Sequence, residues 1–390
     1  MQRRSTTTLL RQLNRSAVVD LIRRDGVISP SNIAQRLKIS LPTVMRVLGD
    51  LIDEGLVEHD GFDEAVRGRP PARVKYRGDA HAIIGVEAMR GKFYGAVSDL
   101  NGRILTEMST PAGDDGESNV EQLADLVQRL KNAPRPAHQA IRGIGIAVPS
   151  IVRQPEGLVV LTMGLGWRYL PLRQILSSRF AEPVYVENGR NLAAVGEWGF
   201  GTGHKKGSVV SLSIGPGAGA GIVIDGKLYR GRSQAAGEVA WYLDDPTLTG
   251  HAFRHLGNKQ ALRFGPGISD DAIAALEDAN RRYVAGELSL DAFSGSVADQ
   301  QSFAVVRELL DYATMAVASI SALINPEIII IAGKLVRGAP LAIDVLRERL
   351  RGNVYDPPRI ALSELGHRDV VMGAIMMVLD ATTLNPTDAA

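Results

Sequence analysis

Only two residues, Ile39 and Ser40, separate two amphipathic helical patterns near the front of the chain. So short a joint forces the helices to cross sharply, which is the spacing of a helix-turn-helix. Ahead of it, "NRSAVVDLIRRDG" predicts a helix with Val18, Val19, Leu21 and Ile22 on one face and a stop at Gly26. The middle helix, "SPSNIAQRLKI", has Ser29 as N-cap and Pro30 at its first position, with Ile33, Ala34 and Leu37 facing inward. The last, "SLPTVMRVLGDLIDEG", starts at Ser40, turns Val44, Val47, Leu48, Leu51 and Ile52 inward, and ends at Gly55. Its outward side carries Ser40, Leu41, Thr43, Met45 and Arg46 near the N-terminus, the end that a recognition helix presents to base edges. Arg46 could pair with guanine, and Thr43 could meet a phosphate or a thymine methyl. A plain three-helix bundle with solvated polar residues would show the same pattern.

Two short strand-like pieces follow, "LVEHDG" and "ARVKYR", as in the wing of a winged helix, with "RGRPP" between them. Arg67 and Arg69 there suit a narrow A·T-rich minor groove, and the segment would serve equally as a stiff linker. The charge split points to a polyanion partner. Residues 1–78 hold 14 Lys+Arg against 9 Asp+Glu, a balance of +5, and the remainder holds 30 against 34, a balance of −4. A basic front on an acidic body suggests double-stranded DNA as partner, although a solvated basic tail would give the same numbers.

From Ala80 the pattern becomes mixed α/β. "AIIGVEAM" and "KFYGAVSDLNGRIL" read as strands, with Asn101-Gly102 marking a hairpin. The helix "NVEQLADLVQRLKN", the strand "IRGIGIAVPS", the helix "LPLRQILSSRF" and the strand "PVYVE" complete one set. A second set holds the strands of "GSVVSLSIGPGAGAGIVIDGKLYRG", helices near 251–288, a long helix near 303–323, "NPEIIIIAG" and a closing helix near 370–381. Two α/β halves imply a cleft between them, where small ligands bind.

Taken in order, "GIGIAVP", "GLGW...PL", "PVYVEN", "SIGPGAGAGIVIDGKLYRG", "AAGEV" and "NPEIIIIAG" resemble the ROK family, whose name joins repressors, open reading frames and kinases. The resemblance covers residues 14–381, including a winged helix ahead of the body. It implies a mostly α winged helix-turn-helix at residues 1–79, followed by a two-lobed α/β body of the sugar kinase and actin-like ATPase (ribonuclease H-like) fold. The lobes are expected at 80–195 and 196–390, with the helix near 370–381 returning to the first. Members phosphorylate sugars, or bind DNA under the control of sugars or partner proteins.

The positions that would do chemistry separate the two branches. The family's kinases resemble Glu-Asn-Asp-x-Asn where this chain has Glu187-Asn188-Gly189-Arg190-Asn191, and the Asp is the base. Glycine accepts no proton, and loss of a positioned base costs ~10²–10⁴ in rate. The kinases' first phosphate turn is similar to Asp-x-Gly-Gly-Thr, and here it is Glu87-Ala88-Met89-Arg90-Gly91. The second turn keeps Gly215, Gly217, Gly219 and Gly221 as a vestigial phosphate turn, but Pro216 removes one N–H donor. Trp241 stands where members' zinc ligand His would be, and the chain has no cysteine, so no metal and no cofactor are expected. His251 and His255 share helical spacing, but two histidines alone read more simply as ordinary surface or core residues.

Effector contacts carried over from the family are Gly166, Trp167, Asn188 and Glu238, with Trp241 as an added indole that could stack on a sugar face. The expectation is therefore a DNA-binding regulator of carbohydrate metabolism, a repressor by family habit, with a catalytically inactive kinase-like body and a sugar or sugar derivative as effector. A sugar kinase with an accessory DNA module, or a body that docks a protein, are the alternatives. A homodimer or tetramer in the cytoplasm, away from membranes, completes the reading, since no apolar run reaches the ~18 residues of a membrane span.

Overall fold

The structure, a computed structural model, describes residues 2–62, 72–136, 139–162, 164–204, 206–214, 218–239, 270–293 and 304–384. At the front, α1 (Gln2–Asp25), β1 (Val27–Ile28), α2 (Pro30–Leu37), α3 (Leu41–Asp53), β2 (Val57–Phe62) and β3 (Ala72–Tyr76) form three helices and a small antiparallel sheet of order β1-β3-β2. Val18, Val19, Ile22, Ile33, Val44, Val47, Leu48 and Leu51 close one core beneath them. Lys38 takes a left-handed conformation with φ 54°, which lets the chain turn into α3 within two residues. Ser40 caps α3, its hydroxyl accepting the Thr43 N–H at 3.3 Å. The first helix begins well before residue 14, where apolar periodicity would start it. Pairing with α3 helps to hold it: Arg11 and Arg15, one turn apart, donate to Asp50 and Glu54, also one turn apart, at 2.7 and 2.8 Å.

Gly49 lies mid-helix in α3, and a methyl group there would meet nothing within 4 Å. Gly49→Ala is therefore expected to stabilise the front module by roughly 0.5–1 kcal/mol, read as a higher denaturation midpoint for that module.

The body contains two sheets of matching order. The first comprises β4 (His81–Met89), β5 (Lys92–Asp99), β6 (Ile104–Pro111), β7 (Ala140–Val148) and β11 (Val184–Asn188), arranged β11-β7-β4-β5-β6. Between these strands lie α4 (Gly116–Lys131), α5 (Leu172–Ser177) and a small sheet of β8 (Val152–Arg153), β9 (Leu158–Leu161) and β10 (Arg168–Leu170). Then α6 (Gly189–Phe200) leads to β12 (Ser208–Ile214), β13 (Ala218–Ile224), β14 (Lys227–Leu228), α7 (Asp270–Val284), α8 (Ala304–Ile324), β15 (Ile328–Gly333), α9 (Leu341–Leu350), β16 (Arg359–Leu362) and α10 (Asp369–Leu379). The second sheet runs β16-β15-β12-β13-β14.

Each sheet is an antiparallel meander extended by two parallel strands. The buried run Ile328–Ile331 is the parallel strand between β12 and β16, where both faces are covered and alternation is not needed. The Asn101-Gly102 hairpin forms as expected, with the Asp99 carboxylate accepting the N–H groups of Asn101 and Arg103, both at 2.9 Å.

The closing helix of each half packs on the other half's sheet. Helix α6 lies on β12 and β13, whereas α10 lies on β4 and β7. Where the two helices cross, both present glycine. A side chain at Gly196 would collide with the Asp369 carbonyl, and one at Gly373 with the Leu192 carbonyl. Backbone therefore meets backbone at the joint between the lobes.

Candidate functional site

The outward face of α3 keeps its large apolar side chains in solvent. Leu41 is 45% exposed and Met45 53%, although Val44 and Val47 between and beside them are buried. Arg46 is exposed on the same face. Ser40 and Thr43 are bonded to one another, hydroxyl to hydroxyl at 2.8 Å, so Ser40 serves the helix cap first. Arg67 and Arg69 lie outside the described residues. Sequence reasoning passed over a polar hollow of about 370 Å³ beside α2, lined by Asn32, Gln35, Arg36 and Arg73 among others. Asn32, Gln35 and Arg36 share one face of α2, and Arg73 joins them from β3, distant in sequence.

The cleft begins where β11 ends and α6 starts. Asn188 caps α6, its side-chain oxygen accepting the Arg190 N–H at 2.8 Å. Glu187 is 1% exposed and fully engaged. One carboxylate oxygen accepts from the Asn188 N–H at 2.7 Å and the Asn191 amide at 3.0 Å, and the other accepts from Arg230 Nε at 2.7 Å. These three bonds hold both carboxylate oxygens toward the α6 start and Arg230. Gly189 is not a packing requirement: a methyl group there would touch Val370 at 3.6 Å and the Val148 carbonyl at 3.7 Å, ordinary contacts. A Cβ is therefore tolerated at this position, and the chain carries none.

Arg190 covers the neighbouring strand. Its side chain lies across Gly219, where any Cβ would collide with it, and its carbonyl bars one at Gly221. Both glycines belong to β13, and their missing side chains make room for Arg190 and α6. Gly215 and Gly217 fall outside the described residues. Opposite, Gly237 has φ 83° and no room for a Cβ, which would strike the Ala220 carbonyl, and Glu238 follows it. Burial raises the Glu238 pKa, opposed by the charge of Arg190 and a hydrogen bond with Asn188.

Trp167 is packed inward. Its indole is 2% exposed, stacks on Phe93 at 6.2 Å between centroids, and donates to the Gly116 carbonyl at 2.9 Å. The ring packs in the first lobe's core. Gly166, at φ 72°, fits because its backbone abuts Gly116. Trp241, His251 and His255 lie outside the described residues.

One cluster had no signal in the sequence. Glu87, Asp369 and Glu197 come from β4, α10 and α6 and meet near the helix crossing. Burial and then the charge of Asp369 push the Glu87 pKa up to about 8, and burial and then Glu197 push Asp369 to about 6. Through the window from 4.5 to about 8, folded Glu87 keeps a proton that the unfolded chain releases. The folded state then binds more protons, so stability falls as pH rises. Glu87→Gln is expected to flatten that loss, measured as the difference in thermal midpoint between about pH 5 and about pH 8.

Known proteins share this architecture. The ROK family profile matches residues 83–381, and a winged helix-turn-helix DNA-binding profile matches residues 11–58. The xylose repressor of Caldicellulosiruptor bescii is 31% identical over 392 residues, spanning 95% of this chain and 96% of its own. The glucokinase of Streptomyces coelicolor is 28% identical over 310 residues, covering 75% of this chain and 95% of its own. Among solved structures, a ROK family transcriptional regulator described as a homologue of the E. coli MLC protein superposes with a TM-score of 0.76. It is 22% identical, and the match covers 97% of this chain and 99% of that one. A ROK family glucokinase from Streptomyces griseus, in complex with glucose and AMPPNP, has a TM-score of 0.57 at 23% identity, covering 76% of this chain and 98% of its own.

Proposed function

The chain belongs to the ROK family, and we propose that it is a DNA-binding repressor of carbohydrate metabolism whose kinase-like body senses a sugar without phosphorylating it. The observation that carries this reading is the start of α6. Gly189 supplies no base although a Cβ there would meet only ordinary contacts, and Arg190 lies across the strand beside it. A kinase needs a carboxylate at the attacking hydroxyl, and Glu187 is spent on Asn188, Asn191 and Arg230. The front module supplies the other half of the function, with Leu41, Met45 and Arg46 exposed on α3 for the major groove. Arg67 and Arg69 would follow the minor groove.

Asn188 and Glu238 remain for sugar hydroxyls, with Trp241 as a stacking surface. The full-length relative named xylose repressor makes D-xylose the first effector to try. A homodimer would set two winged helices on a pseudo-palindromic site. The effector acts by preferring one arrangement of lobes and readers over another. Thermal shift across pentoses and hexoses tests the sensor. At ligand a hundredfold above Kd, stabilisation of roughly 2.7 kcal/mol is expected for the right sugar. No shift with any sugar at millimolar concentration would remove the carbohydrate from the proposal.

A further inference from the structure

The end of the reading helix is tied to the body through one arginine. Glu54 is the C-cap of α3. Its carboxylate accepts from Arg15 on α1 at 2.8 Å and from Arg142 Nη2 at 3.0 Å. Arg142 sits near the start of β7 in the first sheet of the body. The same guanidinium donates to the Thr382 carbonyl, from Nη2 at 2.7 Å and from Nε at 3.2 Å. Thr382 lies in the wide helical turn that continues α10, and its hydroxyl donates back to the Val378 carbonyl at 2.7 Å. The Glu54 carbonyl adds a contact with His81 Nε2, at 3.3 Å, at the head of β4. Gly143 beside Arg142 has no room for a side chain, with Val378 2.7 Å from its would-be Cβ, so β7 and the end of α10 are in close contact.

Helix α10 therefore runs from the crossing with α6, whose first turn forms the cleft, to the carbonyl held by Arg142. We propose that Arg142 is the positioning residue for DNA recognition. Its planar fork holds Glu54 and Thr382 together, so that a shift of α10 on the first sheet changes the angle of α3 relative to the body. This rests on the reading of the front module as a DNA reader and the cleft as a sugar sensor. Lysine, a point charge on a flexible stem, cannot hold both acceptors in one plane. The arginine is 18% exposed and its carboxylate partner 34%, so the pair is shielded without being sealed.

The test uses the full chain, which contains no cysteine of its own. Spin labels at Ser31→Cys on α2 and Ser177→Cys on α5 report the placement of reader against body. In the parent a narrow distance distribution is expected. In Arg142→Met, with folding checked by the thermal midpoint, the distribution should broaden. Binding to a selected duplex should weaken by about tenfold, and the ratio of Kd with and without D-xylose should fall from the range of about 5–150 typical of coupled sites to within about twofold of unity. Arg142→Lys should lie between. An unchanged distance distribution together with an unchanged xylose ratio would overturn the proposal. If the parent binds duplex but ignores D-xylose, that choice of effector fails, and the distances and duplex affinity still decide the role of Arg142. If the parent binds no duplex, the DNA reading fails and the distances decide alone.

Discussion

Gly373→Val is expected to destabilise the body by about 3 kcal/mol or more and to lower its thermal midpoint by roughly 6–12 °C. The cause is local and geometric. A Cβ at Gly373 would overlap the Leu192 carbonyl, which belongs to the backbone of α6 and cannot rotate away. Relief requires α10 to separate from α6, and this opens the packing of Val371, Ile375 and Val378 against the first sheet. The same separation moves the end of α10 that Arg142 holds, so the variant should also lose the sugar response. Gly113→Ala is the control. No atom lies within 4 Å of its would-be Cβ, and its effect should stay within ~0.5 kcal/mol. Equal midpoints for the two variants would mean that the glycine crossing does not hold the lobes.

Arg46→Ala is expected to weaken binding to a specific duplex by about 1–3 kcal/mol, roughly 5- to 150-fold, and to relax preference at one base position. The exposed guanidinium one turn into α3 lies where such helices reach base edges. Binding to non-specific duplex should change far less. Uniform loss on every sequence, with a salt slope reduced by about one, would assign Arg46 to a phosphate instead.

What could be read from sequence was what repeats locally. The helix-turn-helix showed itself through the period of Val44, Val47, Leu48 and Leu51, which are buried, and through Ser29 and Ser40, which both stand at N-cap positions although only the Ser40 side chain makes the cap hydrogen bond. The start of α1 did not, because its first turns have no apolar face to repeat. Strand β1 is two residues long, below any period, and α9 and β16 passed unassigned between stronger signals. In the cleft, Gly189 was legible at the position where the family resemblance implies a base. The reasons for the nearby glycines were not, since Gly219 and Gly221 answer to Arg190, distant in sequence and adjacent only after α6 folds onto β13. The packing of Trp167 was hidden for a similar reason. Its motif matched a loop, but Phe93 and Gly116 decide where the ring goes. Glu54 and Arg142 are 88 residues apart, and nothing in either neighbourhood announces the other.

The most direct measurement incubates the purified chain with ATP, D-xylose and other sugars, and a duplex recovered by selection from random sequence. Phosphate transfer and duplex occupancy are then followed in the same sample. The expected result is tight, sequence-selective binding that D-xylose or a related sugar releases, with no phosphate transfer above the heated control. Steady transfer of phosphate to a sugar, with no preference among duplexes, would contradict the reading of this protein as a sensor that has given up catalysis.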